Sequence, residues 1–286
     1  LDGLNDTGIT YASTVGEKVT PWLDENARSW KTAKRISCVR RSVDQSWEAP
    51  RYGKSQWCLE DHRLRFAAIV ETLAAADADA LEHAVSAASS LTGAGRCVDD
   101  AALAAMPAPP PDELRPAVSQ NREELARAIA LESEGKYAEG VAAAQLAREE
   151  AEKLGWGPLL AHARFVEAQL LERQGKYPLA ERAALDAFLE AGRASDWDTA
   201  AAAANLLIKV VGDRLGRHDE ASRWSELSSL AIALSSDPLE LREATRLHAY
   251  AAVLHQEGEH DRAKTLHRKA LAIHERIHGK DHPSVA

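Results

Sequence analysis

Two histidines four positions apart, with a glutamate beside the first, make His274-Glu275-Arg-Ile-His278 the stretch of this chain with the clearest capacity for chemistry. On a helix, imidazoles at i and i+4 share a face and can hold zinc, and the glutamate can act as base toward a metal-bound water. That chemistry needs a third ligand. One zinc-protease pattern sets a glycine three and a histidine six positions past the second histidine. Here Gly279 and His282 stand at one and four, and only eight residues follow His278. Adventitious zinc uptake by His267, His274 and His278 is the stronger metal reading, and we expect neither a resident metal nor a cofactor. The three cysteines, Cys38, Cys58 and Cys97, are spaced by 20 and 39 residues with no Cys-x-x-Cys, which argues against a structural zinc site. Two readings stay open for them. Cys38 and Cys58 close a helical hairpin as a disulfide if the segment lies in an oxidising compartment, or all are small buried side chains, as the odd count favours. Gly93-x-Gly95 adjoins a proline-rich stretch and reads as a hinge. No phosphate-binding loop, His-Arg-Asp, Asp-Phe-Gly or Gly-x-Ser-x-Gly signature is present. No residue is assigned a catalytic role.

The elements that position these residues repeat. Gly135-Lys-Tyr137, Gly175-Lys-Tyr177, Gly216-Arg-His218 and Gly258-Glu-His260 recur with glycines 40, 41 and 42 residues apart. Each is followed at one offset by a small residue, Gly140, Ala180, Ala221 or Ala263. A period in this range marks stacked supersecondary units. Within a unit, about seventeen residues of helical periodicity end at the glycine, which tolerates the left-handed conformation of a helix C-terminus. A second helix comes next, opening in one case at Pro178 and turning Ala180, Ala184 and Ala187 inward for close helix approach. Composition agrees: 28% charged, alanine-rich, poor in aromatics, with a net charge of −9 that disfavours nucleic acid or an anionic membrane as partner. No run of eighteen apolar residues exists, so membrane insertion by this segment is not expected.

This pattern resembles the tetratricopeptide repeat, in which the glycine, the tyrosine two residues on, and alanines at +5 and +12 are signature positions. Gly175, Tyr177, Ala180 and Ala187 match them, as do Gly258, Ala263 and Ala270; Gly140 in the first repeat and Ser228 in the third depart. The period exceeds the usual 34 of that family. The closing Ile273-His-Glu-Arg-Ile-His-Gly-Lys-Asp-His-Pro-Ser-Val-Ala286 is similar to the long form found in kinesin light chains. The resemblance implies an all-α fold in which an N-terminal helical bundle or cap precedes an α-solenoid of helix hairpins. We expect a helical region at 1–92, a Gly/Pro-rich, extended linker at 93–116, and repeats at about 117–156, 157–195, 196–236 and 237–280, with the start of a fifth.

Before the repeats, helices are expected from Val19 to Arg40, Ser55 to Ala75 and Ala80 to Leu91. Trp57-Cys-Leu-Glu-Asp-His-Arg63, then Leu73-Ala-Ala-Ala-Asp77-Ala-Asp79, Ala84-Val85 and Arg96-Cys-Val-Asp99 resemble the segment that precedes such repeats in bacterial, myxobacterial-type receptor-like serine/threonine protein kinases. Arg51-Tyr-Gly-Lys-Ser-Gln56 departs from that pattern. The resemblance implies that the kinase domain itself is not in this chain, and that this part lies beyond a membrane span, outside the cytoplasm, which favours the disulfide; a cytoplasmic position is the alternative. The absent initiating methionine and the stop at Ala286 read as a fragment of a larger protein.

In stacked hairpins the first helix of each pair lines the concave surface. Aligning on the glycines assigns Arg122, Ile129 and Glu132 to that surface from the first repeat, and His162, Phe165, Gln169, Glu172 and Arg173 from the second. The third gives Leu206, Val210, Asp213 and Arg214, and the fourth gives His248, His255 and Gln256. A groove of mixed charge with an aromatic and imidazoles suits a protein or peptide ligand. Two functions are implied: a non-catalytic protein- or peptide-binding sensor or scaffold region of a kinase, or a structural module that self-associates into oligomers or filaments through uncapped repeat ends.

Overall fold

The computed structural model describes residues 12–74, 84–85, 87–89, 91–235, 240–280, 282 and 285. Among these the fold is all helix, with no strand. The chain forms two compact units, one of residues 1–104 and 108–147, the other of 105–107 and 148–286.

In the N-terminal unit, α1 (Ala12–Ser42) and α2 (Ala49–Ala74) form a hairpin. On α1, Val19, Asn26 and Ala33 recur every seven residues and are buried, as is Ser37 one turn on; the buried face of α2 includes Ser55, Leu59, Ala68, Ile69 and Leu73. Two tryptophans tie this unit together, each giving its ring to packing and its N–H to a polar partner. Trp30 donates to the Leu59 carbonyl at 2.9 Å, and Trp47, 2% exposed, donates to Asp100 Oδ1 at 2.9 Å. The expected helix from Ala80 to Leu91 is helical at 84–85 and 87–89, and the rest of it falls largely outside the described residues.

The stretch expected as an extended linker is folded in its first half. A 3₁₀ turn at Ala94–Val98 leads into the short α3 (Asp100–Ala105). Ser55 Oγ donates to the Cys97 carbonyl at 2.7 Å, and Lys54 Nζ donates to the Leu103 and Ala104 carbonyls that end α3. Here the cysteine expectation is corrected: the disulfide is Cys58–Cys97, with Cα atoms 5.4 Å apart, and Cys38 is an exposed free thiol. The 3₁₀ turn delivers Cys97 to the flank of α2, a packing event that cysteine spacing does not encode. Helix α4 (Arg115–Ser133) closes this unit by laying Ala126 and Ala130 on Ala68 of α2. α5 spans Tyr137–Leu154, and the division between units falls within it.

The C-terminal unit holds three hairpins: α6 (Gly157–Arg173) with α7 (Tyr177–Arg193), α8 (Trp197–Leu207) with α9 (His218–Leu234), and α10 (Leu241–Gln256) with α11 (His260–His278). The first helices α6, α8 and α10 touch in sequence. Alanine makes the close approach feasible: Ala180, Ala184, Ala187 and Ala191 of α7, and Ala200, Ala201, Ala203 and Ala204 of α8, are fully buried. Each hairpin turns at a glycine of positive φ, Gly175 at 74° and Gly258 at 83°, where the next amide closes back on the helix: Lys176 N to the Leu171 carbonyl, Glu259 N to the Leu254 carbonyl, both 2.9 Å.

The third repeat differs. Residues Ile208–Arg214 wind as a π-helix, and its closing bond runs from Arg217 N to the Val211 carbonyl, one residue longer than in its neighbours. Inserting one residue into a helix rotates the turn C-terminal to it. Within the π-helix, Gly212 is the most closely approached of the glycines described in this unit: a Cβ there would sit 2.4 Å from Val253 Cγ2 and 2.6 Å from Ala221 Cβ.

Candidate functional site

The first-helix surface of the C-terminal unit is built from α6 upward. His162, Phe165, Gln169 and Arg173 fall at i, i+3, i+7 and i+11, a single stripe. His162, Phe165 and Gln169 are half-buried and Arg173 is exposed. The His162 and Phe165 rings sit 6.5 Å apart, tilted.

Next to this stripe the charged residues are tied to one another. Glu172, 5% exposed, accepts from Lys209 Nζ at 2.9 Å and Arg214 Nε at 3.2 Å, and Arg214 lies over the Tyr177 ring at 5.9 Å. Asp213 approaches Arg214 at 3.4 Å and accepts from Gln256 Nε2 at 2.6 Å. His218 Nδ1 lies 3.8 Å from Glu257. A polar ladder thus runs from α6 through the π-helix to α10 at the turn end of the hairpins. A buried carboxylate held by two cations is costly to strip of either, so the ladder fixes the spacing of successive repeats. Lys209 and Arg214, the two cations on Glu172, both belong to the π-helix. Lys209 is not among the sequence candidates because an alignment on glycines assumes unbroken helices, and the 41-residue spacing before Gly216, between neighbours of 40 and 42, does not mark the insertion.

His248 and His255 are exposed, but their rings pack toward α11 and not across the stripe of α6: His248 lies 5.0 Å from His267 and His255 lies 4.9 Å from His260, with the two Nδ1 atoms 3.2 Å apart. His274 and His278 stack at 6.0 Å, and His278 stacks on His282 at 4.2 Å. Burial, followed by the charge of His248 and His255, pushes the His267 pKa below its ordinary value. Burial and His282 do the same to His274; burial, His282 and His274 do so to His278. Among the described residues no group of three His, Cys, Asp or Glu converges as metal ligands.

The first-repeat candidates lie in the N-terminal unit. Arg122 is not a groove residue. It is 8% exposed, 2.6 Å from Asp61, with its guanidinium 4.2 Å over the Trp57 ring, so it clamps α4 to α2. Ile129 and Glu132 are half-buried on the same helix.

Among the described residues no helix is long and apolar enough to cross a membrane. No curated protein matches the chain. Residues 244–284, which contain most of α10 and all of α11, match the family described as the tetratricopeptide repeat. Such repeats generally mediate protein–protein interaction, and no catalytic family is found. The chain therefore carries a tetratricopeptide-like repeat region within an all-helical fold.

Proposed function

We propose that the first-helix surface of the C-terminal unit binds a peptide segment of a protein partner, with Phe165 as apolar anchor and Gln169 as polar register-setter. The observation that carries this reading is the ladder of Glu172, Lys209, Arg214, Asp213 and Gln256 beside the stripe. Its charges satisfy one another across three repeats, so the surface is held rigid before a ligand arrives, and a preorganised surface loses less affinity to ordering. His162, Arg173, His248 and His255 border it and contribute polar contacts.

The test is selection of a displayed random-peptide library on the chain. We expect a consensus to enrich, and its binding to be lost with Phe165→Glu and weakened about tenfold or more with Gln169→Ala, a loss of one buried anchor or hydrogen bond. Absence of enrichment, or binding indifferent to Phe165→Glu, overturns the reading.

The setting we propose is the non-catalytic region of a receptor-like serine/threonine kinase, acting as sensor or scaffold. It rests on the order of elements from Trp57 to Asp99 and on into the repeats. The Cys58–Cys97 disulfide favours a position outside the cytoplasm, where such bonds persist. The coding sequence upstream of Leu1 decides this part: a kinase domain and an apolar span are expected there, and their absence removes the kinase reading while leaving the peptide-binding one.

A further inference from the structure

We infer that the outward face of α7 takes a second copy of this chain, packed antiparallel about a two-fold axis at the level of Ala184. The face is self-complementary in sequence. Leu179, Arg182, Asp186 and Leu189 fall at i, i+3, i+7 and i+10 on one side of the helix, in the order apolar, cation, anion, apolar. The spacing is symmetric about residue 184. When the helix is turned end over end on itself, Leu179 meets Leu189 of the second copy and Arg182 meets its Asp186. An isologous interface requires this property, and a helix face chosen at random lacks it.

The side chains are in the state such an interface needs. Leu179 and Leu189 are 56% and 44% exposed, and Leu185 beside them 36%, on a helix whose inner face is fully buried alanine. Arg182 and Asp186 form no ion pair with each other or with any other described residue, whereas the neighbouring Arg193 and Arg217 are paired to Glu190 and to Glu181 and Glu220. A cation placed N-terminal to an anion at i, i+4 is the weaker orientation within one helix, so both charges stay available to a partner of the opposite order.

A second exposed apolar stripe lies on α9, which is tied to α7 through the core, where Phe188 meets Trp224 edge-on at 5.3 Å. α9 adds Leu227, Leu230 and Leu234 at i, i+3 and i+7, all at least 40% exposed. One helix face about 25 Å long and about 10 Å wide falls short of the roughly 800 Å² per partner of a stable dimer, so the interface we infer also takes in the exposed α9 leucines. An exposed apolar patch rimmed by charge is the usual mark of such a surface.

Sedimentation equilibrium on the 286-residue chain, from low to high micromolar concentration, tests the inference. The expected result is a species of twice the 31.1 kDa chain mass that stops there. Leu189→Asp should leave a monomer, and Arg182→Asp should weaken the dimer about tenfold or more, since it replaces two attractive pairs by two repulsive ones. Adding Asp186→Arg to Arg182→Asp restores opposite charges across the axis and should recover the original affinity. A chain monomeric throughout overturns the proposal, as does a mass that keeps rising beyond the dimer, or a double variant no tighter than Arg182→Asp alone. None of these outcomes bears on the peptide-binding stripe of α6.

Discussion

Ser228 stands where the other hairpins of the C-terminal unit carry Ala187 and Ala270. Its hydroxyl is fully buried and donates to Asn205 Oδ1 at 2.6 Å, while Asn205 Nδ2 donates to the Arg242 carbonyl at 2.9 Å. One substituted position thus links three helices, α9, α8 and α10. Ser228→Ala restores the repeat's usual residue but leaves a buried amide oxygen unsatisfied, which costs about 1–3 kcal/mol. We therefore expect the consensus residue to destabilise, as read by denaturant unfolding, with a coupling of about 0.5–3 kcal/mol in a double-mutant cycle with Asn205→Ala. A neutral Ser228→Ala would mean the pair contributes nothing. Gly212 makes the complementary case: Gly212→Ala drives a methyl into Val253 and Ala221 and should cost about 1–3 kcal/mol by overpacking, although alanine is the better helix former. Ser228 is visible as a departure from the repeat pattern, yet its partner is not, because Asn205 lies on the other helix of the hairpin and meets it only through packing, just as Val253 meets Gly212 from the next repeat.

At the scale of elements, the hairpins and their turns are legible in the sequence because each rests on local chemistry: a glycine to end the first helix, a proline or acidic residue in the next first turn, alanine at every inward position of α7. Register across repeats is not, since the π-helix at Ile208–Arg214 rotates the last turn before Gly216 and carries the unassigned lysine that meets Glu172. The histidines show the same limit. Sequence places His248 and His255 on the first helix of the last repeat; only packing turns them against His267 and His260. That pairing makes the α10–α11 hairpin sensitive to acid. His267, His274 and His278 have pKa values lowered below the usual 6.5 by burial, and by neighbouring histidines. A depressed pKa means the folded state binds the proton less well than the unfolded chain, so the stabilisation is present above about pH 6.5 and is lost as pH falls. His248, His255 and His282 are the charges they face. Protection factors of α10 and α11, which take out the intrinsic slowing of exchange in acid, should fall between neutral pH and about pH 5, the window of histidine titration, by more than those of α6 and α7, and His267→Gln with His278→Gln should flatten that difference. An equal fall in all four helices would remove the histidines as the cause.

For the whole molecule, the main division of the chain falls within α5, because residues 94–104 are claimed by the core of the N-terminal unit through Cys97, Lys54 and Asp100. Composition alone marks 93–116 as a link; the contacts that fold its first half come from α2, which is why neither the domain boundary nor the cysteine pairing is legible in the sequence. The two units also hold together by different means. The repeats rest on buried alanine and aliphatic surface with the polar ladder across it. The N-terminal unit depends on a cross-link that spans 39 residues of sequence. Closing a loop of that length stabilises a fold by about 4 kcal/mol on the chain-entropy account, a large share of what a unit of this size possesses. Reduction, or Cys97→Ser, is therefore expected to raise hydrogen exchange across α1, α2 and α4 while leaving α6 to α11 unchanged, and Cys38→Ser to change neither. Exchange that rises equally in the repeats on reduction would show that they draw their stability from the N-terminal unit. Exchange that rises nowhere would show that Trp30, Trp47 and the Arg122–Trp57 clamp hold α1, α2 and α4 without the cross-link.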